Sequence, residues 1–386
     1  MLNPCGFSPF DVQSVPSPCF VVDAEALRAN GRILDEVRKA SGATIILALK
    51  AFAMHPAFPL LREYLNGTTA SSLNEALLGK LEFGGEVHAY AVAYSDDDFL
   101  RMQNLAGHIS FNSLAQWEHF KSAALRRPDV KYGLRINPQY SEVEVELYNP
   151  CIPGSRFGMT AVDLRGADLT DITGLHSHTL CEQGSDTLER TVEKIEEGFS
   201  DLLHQMDWLN LGGGHHITRS DYDRERLIRL LKRLRDTYSL QVILEPGEAV
   251  ALRAGWLVSE VLDVFDSQGI RHAILDSSAT AHMPDVLEMP YRPHIIGSGR
   301  PGEKAHTYKL GGITCLAGDR IGDYSFDRPL QRGDRVAFTD MAIYSMVKTS
   351  HFNGVTHPAI ALWDASLPSM TVTRRFGYEE FRNRLG

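Results

Sequence analysis

Lys50 closes the apolar run Ala43-Thr-Ile-Ile-Leu-Ala-Leu49, and it is followed much later in the chain by Gly212-Gly213-Gly214 and Glu245-Pro246-Gly247. A lysine at the mouth of a buried strand can form a Schiff base with an aldehyde. Glycines can bring backbone N–H groups against a phosphate, and a carboxylate can hold a pyridine nitrogen protonated. Each signal has an ordinary reading when met alone, since a lysine after a strand commonly marks a solvated end and a Gly triplet a turn. Their order along one chain points to an aldehyde cofactor held by its phosphate.

The elements that must position these residues follow an alternating rhythm. β-rich runs fall at 43–49, 67–70, 87–93, 108–111, 130–136, 172–178, 207–211 and 241–245, with helical periodicity at 23–40, 56–65, 72–83, 96–106, 113–126, 185–204 and 221–237. Ser72 with Glu75 reads as a capping box. Eight strands alternating with helices fit a (β/α)8 TIM barrel better than a doubly wound sheet, which uses fewer strands. The Pro- and Gly-containing stretch 138–160 is then a long loop after the fifth strand. In such a barrel Lys50 ends strand one, Arg135 strand five, His178 strand six, Gly212 strand seven and Glu245 strand eight, so all face one mouth.

Beyond residue 255 the rhythm changes to strand-like runs, among them 256–264, 273–275, 335–338 and 359–363. The expected organisation is α/β: a cofactor-binding barrel over 21–255 and a C-terminal β-rich, sandwich- or barrel-like domain over 256–386, joined by residues 1–20. Asp263 to Gly269 is the stretch near the boundary with linker-like composition.

Composition bounds the function. The 386 residues are 43% hydrophobic and 23% charged, which suits two globular domains. A net charge of -10 argues against a nucleic-acid partner and is compatible with a cationic substrate. No run approaches the roughly 18 apolar residues of a membrane span, and Met1 to Pro18 lacks the basic start of an export signal, so a cytoplasmic protein is expected. Cys5, Cys19, Cys151, Cys181 and Cys315 are odd in number, widely spaced and form no C-x-x-C pair, which indicates neither a disulfide framework nor a zinc knuckle.

The series Ala48-Leu-Lys-Ala51, His176-Ser-His178, Leu211-Gly-Gly-Gly214, Glu245-Pro-Gly247, Gly311-Gly-Ile-Thr-Cys315 and Ala342-Ile-Tyr-Ser345 resembles the alanine-racemase-type, fold III pyridoxal-phosphate decarboxylases. Thr69-Ala-Ser-Ser-Leu-Asn-Glu75, Phe83-Gly-Gly-Glu-Val-His-Ala-Tyr90, Cys181-Glu182, Glu245-Pro-Gly-Glu-Ala249 and Met283-Pro-Asp-Val-Leu-Glu-Met-Pro-Tyr291 are similar to the branch acting on carboxynorspermidine and carboxyspermidine. The resemblance spans nearly the whole chain. It implies pyridoxal 5'-phosphate on Lys50, stacked by His178, with Glu245 on its ring nitrogen. Gly212, Gly213, Gly214, the backbone of Gly247 and Glu248, and the Tyr344 hydroxyl would hold its phosphate, with Arg135 in support. It further implies a homodimer with shared active sites, in which Cys315 of a neighbouring subunit reprotonates the α-carbon.

Two departures from the ornithine and diaminopimelate relatives bear on substrate. Glu248 stands where an arginine commonly contacts the phosphate, and Leu316 where an acid commonly follows the cysteine. Both agree with a polyamine-like amino-acid substrate carrying a long aminopropyl tail. Glu182, Asp276, Asp285 and Glu288 are unranked candidates to bind that tail, and Asp319 either joins them or is an exposed turn aspartate. The competing readings are a decarboxylase of another diamino acid, a non-catalytic cofactor carrier, and a metal hydrolase using His176-x-His178 with His215-His216. The last leaves Lys50, Cys315 and Tyr344 without roles, so no metal is expected there.

Overall fold

Strand β1 (Cys19–Asp23) is followed by eight strands of three to five residues: β2 (Thr44–Ala48), β3 (Gly67–Ala70), β4 (Glu86–Tyr90), β5 (His108–Phe111), β6 (Lys131–Arg135), β7 (Gly174–His176), β8 (Trp208–Asn210) and β9 (Gln241–Leu244). In the computed structural model, which describes residues 10–367 and 370–386, these eight pair in parallel and close into a barrel, β9 returning to β2. Their near-continuous burial is what a parallel sheet covered by helices requires. The expected (β/α)8 barrel is therefore present.

The helices explain the cover. Over Ser185–Leu203, Leu188, Val192, Ile195, Phe199 and Leu203 recur every three or four residues and are all buried. Over Arg224–Tyr238, Leu227, Leu230, Leu231, Leu234 and Tyr238 do the same, and Asp223 caps the start by accepting from the Arg226 amide at 2.9 Å. The periodic stretch at 56–65 makes one α-turn, Phe58–Leu61, after a 3-10 turn at His55–Ala57. Pro56 and Pro59 fit first turns and supply no amide to a longer helix. Ser72 caps its helix as expected, but the Glu75 carboxylate takes the Ser71 amide and not that of Ser72.

The remaining strands form one eight-stranded sheet: β10 (Gly255–Ser267), β11 (Ile270–Leu275), β12 (His306–Gly311), β13 (Arg320–Phe326), β14 (Arg335–Thr339), β15 (Ala359–Trp363) and β16 (Thr371–Arg374), ordered β13-β12-β11-β10-β1-β15-β16, with β14 also on β10. β1 lies antiparallel to β10 and parallel to β15. The chain divides accordingly into Arg28–Val250 and a unit combining Met1–Leu27 with Ala251–Gly386. The division falls a few residues inside the 21–255 expected from sequence, because Val21 and Val22 pair with Trp256 and Gly255 of β10. Residues 1–9 of the N-terminal stretch, with Cys5, lie outside the described residues.

One expectation fails. Asp263–Gly269 is no linker: residues 263–267 finish β10, and Gln268 and Gly269, at φ +51° and +78°, turn the hairpin into β11. Two consecutive positive φ values suit the twist of a two-residue hairpin, and the polar composition reflects an exposed strand end. The core of this unit gathers Phe20, Leu257, Ile295, Tyr308, Tyr324, Phe326 and Phe338, all at most 1% exposed. Among the described residues no helix is long and apolar enough to cross a membrane.

Candidate active site

Arg135 is the last residue of β6 and Glu245 the first after β9, while Lys50, His178 and Gly212 stand two residues beyond β2, β7 and β8. All five lie at the C-terminal end of the barrel. Lys50, Arg135, His178 and Glu245 line one cavity of about 280 Å3, with Thr69, Ser71, Tyr90, Phe157 and His176.

Lys50 Nζ lies 3.5 Å from His178 Nε2. The lysine keeps exposed surface toward the cavity, while protein crowds its other sides. That enclosure first, and the Arg135 charge second, lower its ammonium pKa against an opposing pull from Glu245. A larger share of the free amine, the nucleophilic form, follows. His178 is held well below its usual pKa by burial and by the charges of Lys50 and Arg135. Its Nδ1 accepts from the Gly213 amide at 2.9 Å, which fixes the ring and places any proton of the neutral form on Nε2.

A row of polar side chains crosses three neighbouring strands. Cα register pairs Arg135 with His176 and His176 with Asn210, so their side chains share the barrel's interior face. Asn210 Nδ2 donates to Glu245 Oε1 at 2.6 Å, and His176 Nε2 stands 3.7 Å from Glu245 Oε2. His176 is fully buried, its ring nitrogens make no hydrogen bond, and burial depresses its pKa to about 4. The Arg135 guanidinium lies between Tyr90 and Phe157, 4.6 and 4.5 Å from their ring centres, and donates to the His178 carbonyl at 2.9 Å. Arg135 thus anchors the backbone of the imidazole.

The glycine triplet departs in part from expectation. The Gly212 amide donates to Asn210 Oδ1 at 2.8 Å and that of Gly213 to His178, so these two N–H groups serve the chain's own side chains and not a phosphate. Side chains are excluded by packing. A Cβ on Gly212 would fall 2.4 Å from His178 Nδ1, and one on Gly213 2.3 Å from the Glu245 carbonyl. The Glu248 carboxylate turns to His216 Nε2, 3.2 Å away. His215 is bound separately, Nδ1 to the Tyr222 hydroxyl at 2.6 Å. The four histidines of the hydrolase reading therefore have different attachments.

Sequence reasoning missed Tyr90, Phe157, Asn210 and the packing role of His176. Asn210 alone left a trace, as a polar residue ending the Trp-Leu-Asn strand before the glycines.

The other expected residues belong to the sheet unit, apart from Gly247, which packs against Ala51, and Glu182. The latter is exposed in the barrel unit, at φ +55°. Cys315 is exposed in the loop between β12 and β13 and lines a cavity of about 680 Å3 with Asp276, Asn353, His357 and Arg375. Its amide donates to Asn353 Oδ1 at 2.7 Å. Tyr344 occupies a left-handed position, φ +50°, after β14. Asp319 is no exposed turn residue and has no room for a substrate amine. It is 5% exposed and accepts from Ser278 Oγ, the Ala279 and Thr280 amides, and both the amide and hydroxyl of Thr314. Asp285 and Glu288 are likewise engaged, both by Lys348 Nζ at 2.5 and 2.9 Å. Asp276 accepts from Ser259 Oγ at 2.7 Å and the Glu260 amide at 2.9 Å, and burial raises its pKa.

The family described as "Pyridoxal-dependent decarboxylase, C-terminal sheet domain" matches residues 19–342. The chain is 49% identical over 376 residues, 97% of each sequence, to carboxyaminopropylagmatine decarboxylase of Synechocystis sp.. It is 40% identical over 383 residues, 96% of this chain and 99% of the relative, to carboxynorspermidine/carboxyspermidine decarboxylase of Campylobacter jejuni. A crystal structure of carboxynorspermidine decarboxylase from Campylobacter jejuni complexed with norspermidine superposes with a TM-score of 0.89 at 38% identity, covering 96% of this chain and all of that one.

Proposed function

The chain belongs to the pyridoxal-dependent decarboxylases, and from that membership we propose that it removes the α-carboxylate of carboxynorspermidine, carboxyspermidine or both, in the formation of norspermidine or spermidine. The observation that carries the cofactor part of this reading is Lys50 Nζ beside the His178 imidazole, in a cavity also lined by Glu245, which Asn210 holds. A reactive amine, a flat ring and a fixed carboxylate match pyridoxal 5'-phosphate. When bound, it supplies an electron sink for the pair left as the Cα–COO⁻ bond breaks.

The residues divide the remaining work. Lys50, its ammonium destabilised by enclosure, provides the attacking amine. Glu245, anchored at one oxygen by Asn210, would supply negative charge to the pyridine nitrogen of a bound cofactor. His178, pinned by Gly213 and Arg135, offers the cofactor ring a face. The amides of Gly214, Gly247 and Glu248, with the Tyr344 hydroxyl, are assigned to the phosphate. Cys315, from a second copy of the chain, would hold the thiol proton destined for the α-carbon, and Lys50 would hold the cofactor between turnovers. Asp276 is assigned to the substrate's cationic tail, because it alone of the candidate acids shares a cavity with Cys315.

The 49% identity to the Synechocystis enzyme supports a second reading, carboxyaminopropylagmatine, whose tail ends in a guanidinium. Side-by-side turnover of all three carboxy-polyamines with ornithine, lysine, arginine and meso-diaminopimelate tests both. Turnover confined to the amine-tailed pair supports the first reading, and preference for the guanidine compound the second. Preference for a simple diamino acid removes both, and no turnover by protein with bound cofactor points to a carrier.

A further inference from the structure

At the N-terminal end of the barrel strands, opposite the mouth, Glu86 and His88 occupy alternate positions of β4, so their side chains share a face. Cα register pairs His88 with His108, the first residue of β5. Two residues at i and i+2 plus a directly paired residue on the next strand set three side chains around one point. Their ligating atoms all lie within 4.8 Å of one another.

The proposed function uses none of the three. His88 is 3% exposed and its Nε2 lies 3.0 Å from Glu86 Oε2, while half of the Glu86 side chain remains open to solvent. His108 Nδ1 is buried and has no hydrogen-bond partner, an arrangement that costs free energy unless something supplies one. Two imidazoles and a carboxylate, with one side facing water, make the donor set of an open site for a borderline divalent cation such as zinc. From this juxtaposition we infer that Glu86, His88 and His108 form a divalent transition-metal site at the base of the barrel, separate from the cofactor pocket.

Two neighbours shape the site. The His88 and His108 rings are stacked, centroids 4.0 Å apart at 21°, so sharing an ion turns one ring about its soft Cβ–Cγ torsion. The His108 ring also meets Trp208 edge-on at 5.4 Å, so that rotation changes the surroundings of an indole. Lys131, paired with His108 across β5 and β6 and exposed, acts on both Glu86 and His108; its charge opposes a metal ion.

The test uses tag-free protein with its cofactor bound, stripped with a chelator and titrated with Co2+. One equivalent per chain should develop visible ligand-field bands, displaced by Zn2+, together with a change in tryptophan emission. His108→Gln should weaken binding at least about tenfold and abolish the emission change, while leaving the cofactor absorbance intact as evidence of folding. Lys131→Gln should tighten it. Absence of a stoichiometric cobalt spectrum in the parent protein, or an unaltered spectrum and affinity in His108→Gln, overturns the site.

Discussion

Asp319 accepts both the amide and the hydroxyl of Thr314, at 3.1 and 2.6 Å, and so holds the residue immediately before Cys315. The same carboxylate accepts from Ser278, Ala279 and Thr280, which ties the cysteine loop to the N-terminal turn of the short helix Ala279–His282. Asp319→Ala removes a charged acceptor and leaves several donors without a partner, at a cost of roughly 3 kcal/mol or more in denaturant unfolding. Asp319→Asn keeps the size but can accept through only one oxygen. It should retain cofactor absorbance while lowering kcat more than it changes KM, since it loosens the thiol and not the barrel pocket. Parent-like kcat in Asp319→Asn would detach this aspartate from the placement of Cys315.

Lys50 and Cys315 should separate by spectrum. Lys50→Ala is expected to lose the visible band of the lysine-linked cofactor, and Cys315→Ala to keep it while turnover falls or product protonation goes astray. Mixing the two inactive chains should restore part of the activity if two copies share each site. Hybrid dimers, demonstrated by mass, that recover none would refute the sharing.

Asn210 makes a narrower claim. Its Nδ2 holds Glu245 while its Oδ1 accepts the Gly212 amide, so it aligns the carboxylate with the start of the glycine turn. Asn210→Ala should therefore cost about ten- to a hundredfold in kcat with cofactor still bound, by analogy with the loss of a group that orients a reactive one. The cofactor's visible absorbance band should shift as well, because the carboxylate that Asn210 holds is released. A simple fall in cofactor affinity with parent-like kcat at saturation would make Asn210 merely structural.

The barrel was legible because its strands are short apolar runs separated by helices whose buried leucines keep a helical spacing, as in Arg224–Tyr238. Lys50, His178 and Glu245 were legible because each stands at a strand end in an order that a cofactor pocket explains. What could not be read depends on neighbours distant in sequence. Nothing near Asp285 announces Lys348, 63 residues on, and nothing near Gly213 announces that its amide belongs to His178. Glu86, His88 and His108 look like ordinary strand residues until the β4–β5 register sets them together. Asp319 was misread for a related reason: a Gly-Asp pair in a polar loop resembles a surface turn, whereas its burial comes from Ser278 to Thr280, some forty residues earlier.

The acids of the sheet unit should divide sharply. Asp285 and Glu288 share Lys348, so neither offers an open charge to a cationic tail, and Asp285→Asn should change KM for a carboxy-polyamine less than about twofold, within the modest worth of a partly exposed ion pair. Asp276→Asn, beside Cys315 in the cavity, should raise KM about tenfold or more with a smaller effect on kcat. Parent-like KM in Asp276→Asn, with a raised KM in Asp285→Asn, would reverse the assignment.

Buried histidines set the acid limit of the fold. Burial depresses the pKa of His176, His282 and His357 to about 4 and of His108 and His215 to about 3, and it holds that of His178 well below its usual value. An unfolded histidine titrates near 6.5, so between about pH 6.5 and 4 the unfolded chain binds more protons than the folded one and stability rises with pH. The folded state is thus fully favoured above pH 6.5 and loses stability as pH falls, by up to about 1.4 kcal/mol per pH unit for each histidine. Six such groups together approach the whole stability of an ordinary domain within about two pH units, so unfolding should precede pH 4. Carboxylates act lower: Glu142, held near 2 mainly by Arg190, stabilises the fold in full above its unfolded value near 4.5, and that contribution is lost only as pH falls from there toward 2. Urea unfolding of cofactor-saturated protein from pH 7.5 to 5 should therefore show a steep fall. His282→Asn should flatten that slope by about a sixth, the share of one histidine in six. Stability that stays level from pH 7 to 5 would mean these imidazoles accept protons without leaving the fold.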